Sequence, residues 1–277
     1  MSYLRFIIDP DRSAAFNMAA DLHLMQKCEQ NELMVVRFYT WKRPSITLGY
    51  MQKAYEVLDL ERLKKHGGEW IRRPTGGRAV LHEEDITYSC IFSKTLQFMG
   101  SSIAQTYKII TSCLINGLKG AGINCDAHDS YDELKEVKRE VKLPCFLAPN
   151  RDEVMVKGRK LVGSAQKRTQ GAVLQHGSIP ISAAYQKLPS FLNISESEKD
   201  RQVELLRRKS ICIDEILSDG DFQFLSSALM GGFMTLPIES KIEFWTAEEE
   251  QEIQAFAESA DFKNVWMSSC SVDQPVN

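Results

Sequence analysis

No apolar run in the 277-residue chain approaches the roughly 18 residues that a membrane-spanning helix needs. The opening, MSYLRFIIDPDR, has only a few apolar residues before its acids. It lacks the basic start, long apolar middle and small-residue cleavage site of a secretory leader. A surplus of one charge is also missing, since 34 Lys and Arg stand against 37 Asp and Glu, a net of −3. That excludes a general nucleic-acid coat or a polybasic membrane binder and allows only a local basic patch. None of the seven cysteines (Cys28, Cys90, Cys113, Cys125, Cys145, Cys212, Cys270) forms a C-x-x-C pair, and the five histidines show no H-E-x-x-H spacing. A disulfide framework, a zinc knuckle and a soft-ligand metal centre are therefore not expected. These absences point to a cytoplasmic protein with no nucleic-acid or membrane partner, whose thiols are mostly buried small hydrophobes.

With 43% hydrophobic and 26% charged residues, the chain has the composition of an ordinary globular protein of one large or two small domains. Hydrophobic periodicity predicts strands at Leu4–Asp9, Met34–Tyr39, Ser45–Leu48, Trp70–Arg73, Ala79–Leu81 and Ile86–Phe92. An amphipathic helix is expected at Ala14–Gln30, capped by Ser13, and others at Tyr55–Lys65 and Ile103–Ala121. The mixed-charge stretch Asp129–Lys142 reads as a solvated helix or a loop. Strands follow at Glu153–Val156, Lys160–Gln166 and Ala172–Ile181, the first two joined by a tight turn at Lys157-Gly158. Helical segments are expected near Glu198–Arg208, Ile211–Leu217, Phe222–Met230 and Ala247–Ala260. Strands in meanders, with helices not strictly alternating between them, predict an α+β fold, a mixed or antiparallel sheet flanked by helices. One domain over residues 1–265 and a polar tail over 266–277 complete the expected organisation.

Three segments carry residue types that packing alone does not require. In Arg72-Arg73-Pro74-Thr75-Gly76-Gly77-Arg78 a glycine pair between two strands lets backbone N–H groups approach an anionic or carbonyl oxygen, with arginines supplying positive charge. A plain hairpin turn has the same composition, and neither a Walker loop nor G-x-G-x-x-G is present. In Val156–Gln166 (VKGRKLVGSAQ), Lys160 precedes the small residues Gly163, Ser164 and Ala165, which permit close packing against the backbone; a solvent-facing lysine is the plainer reading. In Pro144-Cys145-Phe146 the thiol is either a structural cysteine or a nucleophile favoured by nearby positive charge. His176, a polar insertion in an apolar strand, is either a satisfied core or cleft-wall residue or a catalytic one.

RRPTGGRAVLH with Thr87–Ser89 (TYS), GRKLVGSAQ at Gly158–Gln166 and LQHGSI at Leu174–Ile179 resemble, in order, three motifs of the lipoate-protein ligase A and octanoyltransferase family. Phe16–Ala19 (FNMA) and RFYTWKRPSITLGY at Arg37–Tyr50 resemble its opening region, so the likeness covers nearly the whole chain. It implies a biotinyl/lipoyl protein ligase fold, related to class II synthetase domains, and transfer of an octanoyl or lipoyl group to a lysine of a lipoyl-domain protein. The acceptors implied are the glycine cleavage H protein or a 2-oxoacid dehydrogenase E2.

Two chemistries occur in that family. Ligases activate lipoate with ATP and Mg²⁺, and many carry an accessory C-terminal domain, which is not expected in this chain. Octanoyltransferases take the acyl group from acyl carrier protein through a cysteine thioester, without cofactor or metal. Cys145, in PCFLAP, falls where the cysteine-dependent octanoyltransferases of this ligase-like branch carry their nucleophile. Where those often show an aromatic residue before the glutamate, Asn150-Arg151-Asp152-Glu153 stands instead, and its acids resemble the position that ligases use near the metal. The expected mechanism makes Cys145 and Lys160 catalytic. Arg73, Thr75, Gly76, Gly77, Val80, His82, Gly163, Ser164, Ala165 and His176 bind substrate, and Arg72, Arg73 and Arg78 steer acidic partners such as octanoyl-acyl carrier protein. The Asp129–Lys142 stretch is expected to close over the site. ATP-dependent ligation, amidotransfer between lipoyl-domain proteins, and a non-catalytic lipoate or lipoyl-domain binder are the alternatives.

Overall fold

The computed structural model describes residues 2–128, 144–147, 153–218 and 220–268. In chain order its elements are β1 (Leu4–Arg12), α1 (Ala14–Gln30), β2 (Met34–Trp41), β3 (Ser45–Leu48), α2 (Ala54–Val57), α3 (Leu60–Lys65), β4 (Glu69–Arg72), β5 (Val80–His82) and β6 (Asp85–Ser93). They continue with α4 (Ile103–Gly120), β7 (Asp126–His128), β8 (Glu153–Val156), β9 (Arg159–Lys160), β10 (Gly163–Arg168) and β11 (Ala172–Pro180). Then come α5 (Glu196–Lys209), α6 (Phe222–Phe233), β12 (Ser240–Ile242), α7 (Ala247–Glu258) and α8 (Ala260–Trp266).

The main sheet has six strands in the order β10-β11-β6-β2-β1-β12, and two three-stranded sheets, β4-β3-β5 and β7-β8-β9, accompany it. Pairing is antiparallel from β10 to β2, while β1 lies parallel to both β2 and β12. The α+β class with a mixed sheet flanked by helices is as expected. Every residue of β6 is buried, because helices cover both of its faces. On one side α4, capped by the Ser102/Gln105 box, and α6 close the largest core cluster over Phe38, Tyr88 and Phe92. On the other side lies α1, whose Ser13 cap accepts from Phe16 N. Expected to be amphipathic, α1 is instead largely encased, since it lies between the sheet and α7. That is why its polar Asn17 and Asp21 are fully buried.

Several boundaries differ from the sequence expectation. The single helix expected at Tyr55–Lys65 breaks at Leu58–Asp59, where Leu58 bridges to Leu192 and the Asp59 side chain caps a second helix. Lys160–Gln166 is not one strand: Lys160 pairs with β8, and Gly163 begins β10 of the main sheet. Leu161 and Val162 enter the core between them. The Ile211–Leu217 helix reduces to a short 3-10 turn at Ile213–Glu215, and Ser259 ends α7 and caps α8. The tail expected from residue 266 starts with a buried Trp266 packed in a core cluster beside Met267. The expected loop or helix at Asp129–Lys142 lies outside the described residues, as does the rest of the tail from 269.

Candidate active site

The ends of β2, β3, β5, β6, β10 and β11 meet at a narrow cleft of about 340 Å³, its open mouth included. Its floor comes from neighbouring register positions of the main sheet. Gly163, Ser164 and Ala165 of β10 lie opposite Ser178, Gly177 and His176 of β11, and Ser178 lies opposite Thr87 of β6. The small sheet supplies Thr47, Val80 and His82, with Arg73 just past β4, and Cys145 stands at the same cleft. Of the expected site residues, Cys145, Arg73, Val80, His82, Gly163, Ser164, Ala165 and His176 are thus brought together.

The other four expected residues, Thr75, Gly76, Gly77 and Lys160, stand just outside the lining. Thr75 is the layer behind it: its hydroxyl lies 2.7 Å from His176 Nε2 and accepts from Arg73 Nε at 3.1 Å. Gly76 and Gly77 form the exposed tip of the turn, with Gly77 at φ +97°. Their N–H groups donate to no protein acceptor among the described residues. Gly49 makes this seating possible, since a Cβ there would lie 2.1 Å from Gly77 O. Lys160 is buried, ion-paired to Glu153, and its Nζ reaches Cys145 O at 3.4 Å. It therefore holds the backbone of Cys145 and does not project into the cleft.

Cys145 differs from the other thiols. Cys28, Cys90, Cys113, Cys125 and Cys212 are buried, whereas Cys145 is partly exposed; Cys270 lies outside the described residues. Burial pushes the Cys28 thiol up to about 12 and those of Cys113, Cys125 and Cys212 up to about 11, so these stay protonated and inert at neutral pH. The Cys145 amide donates to Ala79 O at 3.1 Å, which joins its segment to the turn leading into β5. Phe146, beside it, packs over Gly163 and meets Tyr185 at 5.2 Å between ring centroids.

The two histidines are held at both ring nitrogens. His176 Nδ1 lies 3.1 Å from Asp21 Oδ2, and burial pushes the imidazole below its ordinary value against the pull of Asp21. It is a cleft-wall residue whose charged form burial disfavours. His82 contacts Thr47 Oγ1 at 3.0 Å and Asp85 Oδ2 at 2.8 Å and stacks on Trp41 at 4.2 Å. Arg72 and Arg73, expected to steer acidic partners, are only 1% and 4% exposed. They point inward because carbonyls of the turn and of neighbouring segments need donors, Gln52 O and Val265 O for Arg72. Met18, Tyr39, Trp41, Thr47, Thr87, Gly177 and Ser178 also line the cleft and were not singled out from sequence. The FNMA and RFYTW segments were the available signal for the first three. Glu153, which resembled a ligase's acidic position, is engaged with Lys160. Among the described residues no group of three or more His, Cys, Asp or Glu is placed to hold a metal ion.

The mixed sheet thus ends in a largely apolar cleft at which the one partly exposed thiol among the described residues stands. Residues 13–234 match the model of the lipoyl protein ligase A/B catalytic domain, and the chain belongs to that family. Octanoyltransferase LipM of Brevibacillus brevis is 37% identical over 222 residues, covering 79% of this chain and 80% of that protein. Octanoyltransferase LipM of Bacillus subtilis is 35% identical over 219 residues, covering 77% and 78%. Two solved structures share the fold. A bipartite lipoate protein ligase from Thermoplasma acidophilum, reported with its E2 lipoyl domain, has a TM-score of 0.79 at 20% identity over the whole of both chains. Lipoate-protein ligase A bound with ATP has a TM-score of 0.74 at 21% identity over 94% and 95%. The chain has the biotin/lipoate ligase fold and is an enzyme of the acyltransferase class.

Proposed function

We propose that the chain moves an octanoyl group from acyl carrier protein, through a thioester on Cys145, to a lysine of a lipoyl-domain protein. The observation that carries this reading is the position of Cys145, partly exposed at the cleft while the other described thiols are buried. In the first half the Cys145 thiolate attacks the donor thioester, its S–C bond forms, and the carrier thiolate leaves and takes up a proton. In the second half the acceptor's neutral amine attacks the acyl–cysteine, the Cys145 thiolate leaves, and the new amide nitrogen loses a proton. Acyl carbons lie along Val80 and the small run Gly163–Ala165. The uncommitted N–H groups of Gly76 and Gly77 are suited to a carbonyl oxygen arriving at the mouth. Lys160 holds the Cys145 peptide, and service as a proton carrier requires its pair with Glu153 to open. No cofactor enters these steps. The lipoyl domain as acceptor is supported by the family and by the Thermoplasma ligase reported with one.

Intact-mass analysis after mixing with octanoyl-acyl carrier protein tests the mechanism. One octanoyl adduct is expected on the wild-type protein, discharged by a lipoyl domain and absent in Cys145→Ser. Modification of a lipoyl domain by Cys145→Ser from free lipoate and ATP would overturn the thioester route in favour of ligation. A wild type inert towards both donors would leave a binding protein.

A further inference from the structure

Arg73 is a charge without a countercharge. It is 4% exposed, and its five N–H donors are all used on neutral oxygens. Nε donates to Thr75 Oγ1 at 3.1 Å. Nη1 donates to Thr47 O at 3.1 Å and Thr47 Oγ1 at 3.2 Å. Nη2 donates to Gly76 O at 2.9 Å and Arg78 O at 2.8 Å. No carboxylate forms an ion pair with it among the described residues. Arg37, fully buried as well, is by contrast paired, lying 2.7 Å from Asp9 and 3.5 Å from Asp21. A buried cation normally needs such a partner, because hydrogen bonds to neutral acceptors only partly replace lost hydration.

What Arg73 does face is the cleft that Cys145 also lines. Burial pushes Arg73 below the usual guanidinium range, and the charge Cys145 can carry is the one influence in the opposite direction. Several other ionisable groups near the cleft are already committed. Lys160 pairs with Glu153, His82 with Asp85 and His176 with Asp21. Tyr107 donates to Ser164 O, and Tyr185 bonds Ser210.

We propose that Arg73 is the fixed countercharge of the Cys145 thiolate, a positioning residue held by its five hydrogen bonds so that the cleft carries unbalanced positive potential until the sulfur ionises. The proposal rests on the acyl-transfer reading and deepens it. In that sequence the thiolate appears twice, as nucleophile and as leaving group, and a cation that cannot lose its proton favours it on both occasions. None of the N–H groups is left to touch the sulfur, so the effect acts through space in a site of low dielectric.

The test is the pH dependence of Cys145 alkylation by iodoacetamide, read by intact mass in wild type, Arg73→Lys and Arg73→Gln, with folding followed by circular dichroism. Arg73→Gln should move the alkylation midpoint to higher pH and slow the reaction at neutral pH on the order of tenfold, about one pH unit of thiolate population. Arg73→Lys should keep the wild-type midpoint although it also loses hydrogen bonds. Equal displacement in both variants, or none in Arg73→Gln, overturns the proposal and leaves Arg73 a staple of the turn. A second measurement does not depend on Arg73 variants folding. Cys145→Asp places an anion at pH 7 in the cleft that Arg73 lines and should melt higher at that pH than its neutral isostere Cys145→Asn, the advantage fading in acid as the carboxylate protonates. No advantage for the anion rejects the countercharge. Since alkylation and melting need no acyl donor, either result stands apart from the octanoyl-adduct experiment, whose failure would reject the transfer reading alone.

Discussion

The seating of the Thr75–Gly77 turn on Gly49 can be broken by a single methyl group. In Gly49→Ala the new Cβ would stand 2.1 Å from Gly77 O and 2.8 Å from its carbonyl carbon, whereas ordinary contact begins at 3.4 Å. Both partners are backbone, so no rotamer change relieves the overlap, and strand end and turn must separate by about 1 Å. Overpacking of this kind costs roughly 1–3 kcal/mol, and the stiffer unfolded chain offsets about 0.4–1 kcal/mol of it. A net loss of about 1–2 kcal/mol should appear in urea unfolding as a lower midpoint at unchanged slope. The turn carries the Thr75 O···H–N Tyr50 bond at 3.0 Å, the Arg73 anchors and the Thr75–His176 contact, so octanoyl transfer should fall about 100-fold in kcat/KM. Gly76→Ala is the stability control: its Cβ would meet nothing within 4 Å, and its midpoint should stay within about 0.5 kcal/mol of wild type. A Gly49→Ala protein with wild-type midpoint and wild-type transfer would refute the argument that this contact seats the turn.

Three further outcomes follow from burial and charge. Arg37→Met removes the cation shared by buried Asp9 and Asp21 and should cost about 3 kcal/mol in chemical denaturation, the low end for a broken buried pair because Arg12 still holds Asp9 and His176 still contacts Asp21; a loss below about 1 kcal/mol contradicts the network. Phe146→Ala empties the space over Gly163 and beside Tyr185 and should lower stability by about 3 kcal/mol, with Cys145 alkylating faster because its neighbour no longer holds it. Burial would raise the Glu249 carboxyl, but Arg5 and the Thr246 N–H outweigh it and bring it from 4.5 to about 2. A depressed carboxylate stabilises fully above its unfolded value, and the contribution is lost as pH falls from about 4.5 through about 2. With the side chain 16% exposed, this amounts to about 2 kcal/mol after solvent screening. Arg5→Met should therefore remove most of the extra pH dependence of unfolding in that window, and an unchanged acid midpoint would contradict it.

Local rules in the sequence anticipated what local physics decides. Ser13 capping α1 and the Lys157-Gly158 turn, with φ of 49° and 74°, need nothing beyond neighbouring residues. What depends on distant partners was not legible. GRKLVGSAQ has one continuous strand pattern, yet the chain changes sheets within it, because Leu161 and Val162 are drawn into the core between α4 and the main sheet. Strand β12 is three residues at a sheet edge, one half-buried and two exposed, visible only through its parallel pairing with β1. The arginines of RRPTGGR have the composition of a surface patch. The inward direction of Arg72 and Arg73 is set by carbonyls as remote as Val265. Among cleft residues, Gly163–Ala165, His82 and His176 stood out as types that packing does not demand. Thr47, Tyr39 and Thr87 are ordinary strand residues whose register alone turns them into lining.

The same distinction bears on the proposed nucleophile, which sits on an irregular segment. Cys145 belongs to a short 3-10 turn, which by itself would leave its position loose. Both polar atoms of its backbone are nevertheless tied to residues beside the cleft. Its N–H donates to Ala79 O, beside the arginine turn, and its C=O accepts from Lys160 at the start of the sheet change. The two ties come from different segments, so displacing either one displaces the sulfur relative to the proposed acyl path. A reacting atom misplaced by about 1 Å costs on the order of 100-fold in rate. The turn residues and Lys160 can thus govern transfer without lining the cleft, and their substitution should lower kcat more than it raises KM.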